Sequence, residues 1–167
     1  TLPSPEPPPG YAFNGWRWGG SPTSLGTLVD ATSIVSVEVT VLVGYWTPRN
    51  YTVTLDPQGG TVEPGTIQVT FSKRYLGLPD PVRTGYTFGG WWTLVNGKGL
   101  RVVSALTDMT TAADHTLYAK WTALTFPVTL DPQGGAVAPD ALTVTFDKTY
   151  GTLPTPTRPG YAFSGWR

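Results

Sequence analysis

One segment of this chain occurs twice without change. Val53-Thr-Leu-Asp-Pro-Gln-Gly-Gly60 returns as Val128–Gly135, an offset of 75 residues. The same offset takes Val69-Thr70-Phe71 to Val144-Thr145-Phe146, Tyr75 to Tyr150, and Leu78-Pro79 to Leu153-Pro154. It takes Tyr86, Phe88, Gly90 and Trp91 to Tyr161, Phe163, Gly165 and Trp166. The N-terminal part keeps this register, since Tyr11, Phe13, Gly15 and Trp16 precede Tyr86, Phe88, Gly90 and Trp91 by one period, and Trp46 precedes Trp121 by one. Leu2-Pro3 lies 76 residues before Leu78-Pro79, so Glu6–Pro9 carries one inserted residue. A fixed period of this kind marks a tandem array of one structural unit.

The period divides the chain into three parts. Residues 51–121 make one complete repeat, 1–46 the back part of a preceding repeat, and 127–167 the front part of a following one. The chain starts at Thr1 rather than Met, and reads as a processed fragment or a window on something longer. The connectors Thr47–Asn50 and Thr122–Phe126 are short. Short connectors limit the orientations of neighbouring units, which predicts a semi-rigid rod. The shared segment Leu-Pro through Gly-Tyr-Ala-Phe-x-Gly-Trp-Arg occurs at both ends, and 127–151 joined to 1–46 matches 51–121 in length. An incomplete β unit leaves edges unpaired and apolar faces wet. The expectation is therefore that the front part of one chain is completed, head to tail, by the back part of the next; the rival is that the termini are frayed ends of a truncated chain, or that the true unit boundary lies after Gly-Trp-Arg.

Within the complete unit, Tyr51–Asp56 and Ile67–Phe71 alternate apolar and polar residues, as strands with one buried face do. Pro57-Gln-Gly-Gly60 turns the chain between them into a hairpin. Leu78-Pro-Asp-Pro81 removes backbone donors and predicts an irregular crossing loop. Asn96-Gly97 signals a second hairpin turn. The stretch 100–114 is compatible with a helical turn or short helix, and Thr116–Trp121 reads as a closing strand with Leu117, Ala119 and Trp121 on one face. The fold class is mainly β, with a four- or five-stranded sheet. The expected core is Val53, Leu55, Val69, Phe71, Tyr86, Phe88, Trp91, Leu117 and Trp121.

The chemistry-bearing residues are sparse. Lys plus Arg and Asp plus Glu both number 11, and no basic run exists to neutralise phosphates or dock on an anionic bilayer. Ile34–Trp46 is too short and too polar to span a membrane. There is no Cys, so neither disulfides nor thiolate metal sites arise, and the lone His115 has no second His to join it. Asp56 and Asp131 precede Pro-Gln-Gly-Gly, where an Asp caps its own turn. Asn14, Asn50 and Asn96 do not recur in the repeat, which argues against a Lys–Asn crosslink. No phosphate loop, nucleophile elbow or zinc helix motif is present. The expectation is a chain that is not an enzyme and uses no cofactor or metal.

Seven Trp occur. Trp16, Trp91 and Trp166 share one repeat position and Trp46 and Trp121 another; with Tyr86, Phe88 and Phe163 they make the expected repeat core. Trp18 and Trp92 follow the first Trp without being equivalent, and are candidates for contact with a ligand or a neighbouring unit.

In order, the anchors are a strand, a Gly-Gly turn, a second strand, Leu-Pro-x-Pro, Gly-Tyr-x-Phe-x-Gly-Trp and Leu117-Tyr-Ala-Lys-Trp121. Together they resemble the Listeria–Bacteroides repeat, the B-repeat type of internalin-like surface proteins. The resemblance covers 51–121 and the matching portions of both partial units. Val41-Leu-Val-Gly-Tyr-Trp46 departs from it at the end of the first unit. The resemblance implies a β-grasp-like module, strung in tandem on a bacterial secreted, cell-surface or wall-attached protein, without catalysis. Two functions follow as expectations. One is a structural or adhesive stalk or fibre-forming array, whose partners are neighbouring repeats or copies of itself. The other is a module recognising a glycan or protein of a host or environmental surface through exposed Trp and Tyr.

Overall fold

The computed structural model of the chain describes residues 2–19, 26–34 and 41–167. The segment 35–40, part of the expected completing element, lies outside the described residues. The described residues form ten strands: β1 (Tyr11–Trp18), β2 (Thr27–Val29), β3 (Val43–Pro48), β4 (Asn50–Asp56), β5 (Thr66–Thr70), β6 (Tyr86–Leu94), β7 (Lys98–Val102), β8 (His115–Ala123), β9 (Thr125–Thr129) and β10 (Ala141–Thr145). The mainly β expectation is borne out. The complete repeat is a five-stranded sheet of order β5-β4-β8-β6-β7, the first part a three-stranded sheet β2-β1-β3, and the last a two-stranded sheet β10-β9.

Alternation sets the first hairpin. Val53 and Leu55 of β4 are buried while Thr54 between them is exposed, and β4 pairs antiparallel with β5 from Asn50↔Thr70 to Thr54↔Thr66. The Asp-Pro-Gln-Gly turn is locked by its own side chain, because the Gln58 amide donates to Asp56 Oδ1 at 2.8 Å. The third repeat copies this with Gln133 and Asp131, also at 2.8 Å. In the intact repeat two long side chains clamp the turn from outside. Arg83 donates to the Gln58 carbonyl at 2.9 Å and the Trp121 indole to the Pro57 carbonyl at 2.8 Å. The last strand, β8, enters the middle of the sheet, parallel to β4 and antiparallel to β6, and sets Leu117 beside Leu55.

The Phe-x-Gly-Trp motif has a geometric meaning that periodicity alone did not show. Residues three apart on a regular strand point to opposite faces. The β6 register shifts between Phe88 and Trp91, and Gly90 sits there at φ +98°. A bulge of this kind adds one residue and re-aims the next side chain. Phe88 and Trp91 therefore share a face, with rings 5.5 Å apart and edge-on. Gly15 does the same in β1, where Phe13 and Trp16 lie 5.6 Å apart. The Trp then reaches back to its own Leu-Pro segment. The indoles of Trp16, Trp91 and Trp166 donate to the carbonyls of Pro3, Pro79 and Pro154 at 2.8, 2.9 and 2.9 Å. The inserted residue in Glu6–Pro9 is absorbed between these two ends without loss of the bond.

The core of the intact repeat holds Val53, Leu55, Val69, Tyr75, Trp91, Val102, Met109, Leu117 and Ala119, with Phe88 and Trp121 packed against it. Two expected members are elsewhere. Phe71 and Tyr86 are only half-buried, because each faces an adjoining repeat. The stretch 100–114 contains no helix. Its Thr, Asp and β-branched residues favour turns and extended backbone, and it zips onto 72–75 instead. Tyr75 donates its amide to the Thr107 carbonyl at 3.0 Å, and Met109 donates to the Lys73 carbonyl at 2.8 Å. That pairing delivers Met109, fully buried, into the core. Truncating it should therefore resemble truncating the expected core aromatic: Met109→Ala should cost about 2–5 kcal/mol and Trp91→Ala about 3–5 kcal/mol. Native-state hydrogen exchange at the buried Leu117 amide reads both, and a cost under about 1 kcal/mol for either would contradict this core.

Candidate functional site

The described titratable side chains meet in scattered pairs, Arg74 with Asp108, Tyr75 with His115 and Tyr86 with Asp147. His115 opens β8, with Nδ1 3.0 Å from the Ala113 carbonyl and Nε2 2.7 Å from the Tyr75 hydroxyl. A ring nitrogen facing a carbonyl must carry the proton, so Nε2 accepts from Tyr75. Burial pushes the Tyr75 phenol up, which keeps it a donor. Both nitrogens are thus engaged, Nε2 in holding the 72–75 segment to β8 and Nδ1 in fixing the ring to the turn before that strand. Among the described residues, no three His, Cys, Asp or Glu side chains come together as a metal-binding group.

Trp18 ends β1 opposite Thr27 and is half-buried. Trp92 is half-buried too; its indole donates to the Gly89 carbonyl at 3.3 Å, and the Lys120 ammonium lies 5.3 Å from its ring centre. Both contacts lie within its own repeat. Of the other expected core residues, Trp16 and Trp46 are half-buried around Phe13, and Trp166 packs edge-on against Phe163. Phe163 departs from expectation, since it is 43% exposed. In the intact repeat, Trp121 of β8 covers the equivalent Phe88 at 5.6 Å. Among the described residues no such strand lies beside Phe163. A cleft lined by Leu130, Tyr150, Leu153, Tyr161, Phe163 and Trp166 occupies that side of the third unit.

The geometry that recurs is at the junctions between repeats. β3 passes into β4 through one residue, Arg49, and β8 into β9 through Leu124. The Arg49 amide donates to the Gly10 carbonyl at 2.8 Å, and its carbonyl accepts from the Phe71 amide at 2.8 Å. Leu124 repeats both bonds, to Gly85 at 2.9 Å and from Phe146 at 2.8 Å. The amide and carbonyl of one extended residue point to the same side of a strand. The start of the Gly-Tyr strand of one repeat and the end of the second strand of the next therefore lie end to end along one shared strand.

Side chains close each junction. Tyr11 meets Phe71 edge-on at 5.4 Å, and Tyr86 meets Phe146 edge-on at 5.7 Å. Each Phe ring lies over the preceding Gly, so that a Cβ on Gly10 or Gly85 would overlap the ring of Phe71 or Phe146. Beyond the rings, the Tyr11 hydroxyl bonds the Ser72 hydroxyl at 3.2 Å, and the Tyr86 hydroxyl donates to Asp147 at 2.8 Å. That bond to Asp147 holds the Tyr86 phenol above its ordinary pKa. The Arg83 guanidinium covers the other part of Tyr86, 3.9 Å from the ring centre. Sequence reasoning assigned Phe71 and Tyr86 to the core. The signal for the junction was a Gly before each repeated Tyr, at Gly10, Gly85 and Gly160.

The comparisons with known proteins agree with this repeat. The model of the Listeria-Bacteroides repeat domain matches residues 51–120 and 126–167, more than half of the chain. A protein of Evansella cellulosilytica, named as a Gly-rich membrane protein, is 27% identical over 170 residues, covering 99% of this chain and 18% of that protein. Internalin H of Listeria monocytogenes is 36% identical over 86 residues, covering 52% of this chain and 15% of the internalin. A second membrane protein of Evansella cellulosilytica is 23% identical over 168 residues, covering 98% of this chain and 24% of that protein. The chain thus spans at most about a quarter of the length of these relatives. With its anchors in register and the model matching 51–120 and 126–167, the chain belongs to the Listeria-Bacteroides repeat family.

Proposed function

We propose that this chain is a non-enzymatic, structural segment of a bacterial cell-surface or secreted protein, in which stacked repeats act as a stalk or fibre-forming array. The observation that carries this reading is the junction, built twice from the same two backbone bonds and the same aromatic pair. A one-residue connection bonded through both its amide and its carbonyl leaves little freedom between units. Surface placement draws on the internalin and membrane-protein relatives. Among the described residues no helix is long and apolar enough to cross a membrane.

The partners in this reading are neighbouring repeats, in one polypeptide or as copies meeting head to tail. The third unit supports it, since Phe163 and the Pro132 carbonyl stand where Phe88 and the Pro57 carbonyl hold Trp121. Recognition of a glycan or protein through Trp92 has less support, because Lys120 and Gly89 already engage that ring.

Small-angle scattering tests the array directly. The chain should give an elongated particle with a fixed cross-section, and a profile like that of a flexible coil would contradict the reading. On a glycan array, binding should be absent or unchanged by Trp92→Ala. Saturable binding lost on that substitution would favour the recognition module instead.

A further inference from the structure

We propose that the Gly-Tyr pair opening β1 and β6 is a docking surface for the Phe that follows the second strand of the next repeat, and that the equivalent pair Gly160–Tyr161 offers this surface to a further copy. The inference deepens the array reading and rests on it. Two occupied examples define what the surface takes. Gly10–Tyr11 holds Phe71, and Gly85–Tyr86 holds Phe146, with near-equal ring separations and interplanar angles of 79° and 80°. The residue after the Phe supplies the polar contact to the Tyr hydroxyl, as Ser72 in one junction and Asp147 in the other. The third example keeps the Gly, the Tyr and the Arg that covers it, but residues 161–167 form no strand and, among the described residues, no Phe lies on the pair. Gly160 has φ +80° and open space where its Cβ would stand, and Tyr161 is 68% exposed. Its outer ring face is already arranged, since the Arg158 guanidinium lies 4.0 Å from the Tyr161 centre just as Arg83 lies over Tyr86. The partner is therefore specific in chemistry. It is a two-stranded hairpin of this same repeat, ending in Phe and a small or acidic hydrogen-bonding residue.

Glycine is required for two separable reasons. Gly10, Gly85 and Gly160 have φ of +83°, +79° and +80°, so an Ala at any of them meets the same backbone strain. Only at Gly10 and Gly85 would the new Cβ also strike a Phe ring. Comparing the three positions isolates the docking contact from the strain.

The test is hydrogen exchange at the junction amides of the chain 1–167. The Leu124 and Phe146 amides report the second junction, and those of Arg49 and Phe71 the first. Gly85→Ala should speed exchange at residues 124 and 146 by about tenfold or more and leave 49 and 71 within about twofold. Phe146→Ala, which changes no residue of the complete repeat, should do the same. It decides the matter if Gly85→Ala unfolds that repeat, as loss of protection at Leu117 would reveal. Gly160→Ala should leave all four amides within about twofold. In a chain extended after Arg167 by a copy of residues 93–167, Gly160→Ala should instead open the new junction as Gly85→Ala opens the second. The proposal is overturned if residues 124 and 146 keep parental exchange in both Gly85→Ala and Phe146→Ala, or if Gly160→Ala is silent in the extended chain. A rod-like scattering profile alongside that result would leave the array reading standing and remove only this account of its joints.

Discussion

A strand that belongs to two units at once is the constraint on which this structure depends. Backbone amides and carbonyls must be paired, and sheet edges left open are hazardous. Here β3 and β4 form nearly one strand, broken only at Arg49, and β8 and β9 form another, broken only at Leu124. Pairing on the first half of each satisfies one repeat and pairing on the second half the next. The residue between contributes one bond to each. Because backbone bonds of that one residue reach both sides, the three sheets meet end to end at the boundaries. The aromatic pair at each boundary then covers the one position, a glycine, that has no side chain to exclude water.

The same economy runs through the interior of the repeat. Three motifs that look independent in sequence are one device. The Leu-Pro carbonyl receives the Trp indole, the Gly before that Trp makes the bulge, and the bulge sets Phe and Trp side by side. The clamp on Asp-Pro-Gln-Gly adds the first turn to this device, since Trp121, which packs on Phe88, also bonds Pro57. The last strand of a repeat is therefore what ties its first turn to its third strand. This explains why Phe163 remains open to solvent while its counterpart Phe88 does not.

Much of this was legible from the period. A fixed register over so many anchors defined the unit, and alternation in 51–56 and 67–71 defined its first hairpin. The Asn96-Gly97 signal was equally direct, with both residues at positive φ between β6 and β7. What was not legible has physical reasons. Met109 lies in a polar-looking run and becomes core only because 103–109 pairs with 72–75, a contact between segments that carry no shared pattern. Phe71 and Tyr86 are large, repeated and apolar, which is the signature of a core residue. The same signature is produced by a boundary that every repeat must cover, and only coordinates separate the two. The role of Gly90 was hidden for a similar reason, because a bulge shifts period without leaving a compositional mark.

The central claim is that neighbouring repeats are held in one orientation by the shared strand and its glycine–aromatic cover. Residual dipolar couplings measured on the intact repeat and on the β9–β10 hairpin test it most directly. The account predicts that one alignment tensor fits both sets of couplings, and that Phe146→Ala separates them into two. Two independent tensors in the unaltered chain would show the units reorienting freely, and would contradict it.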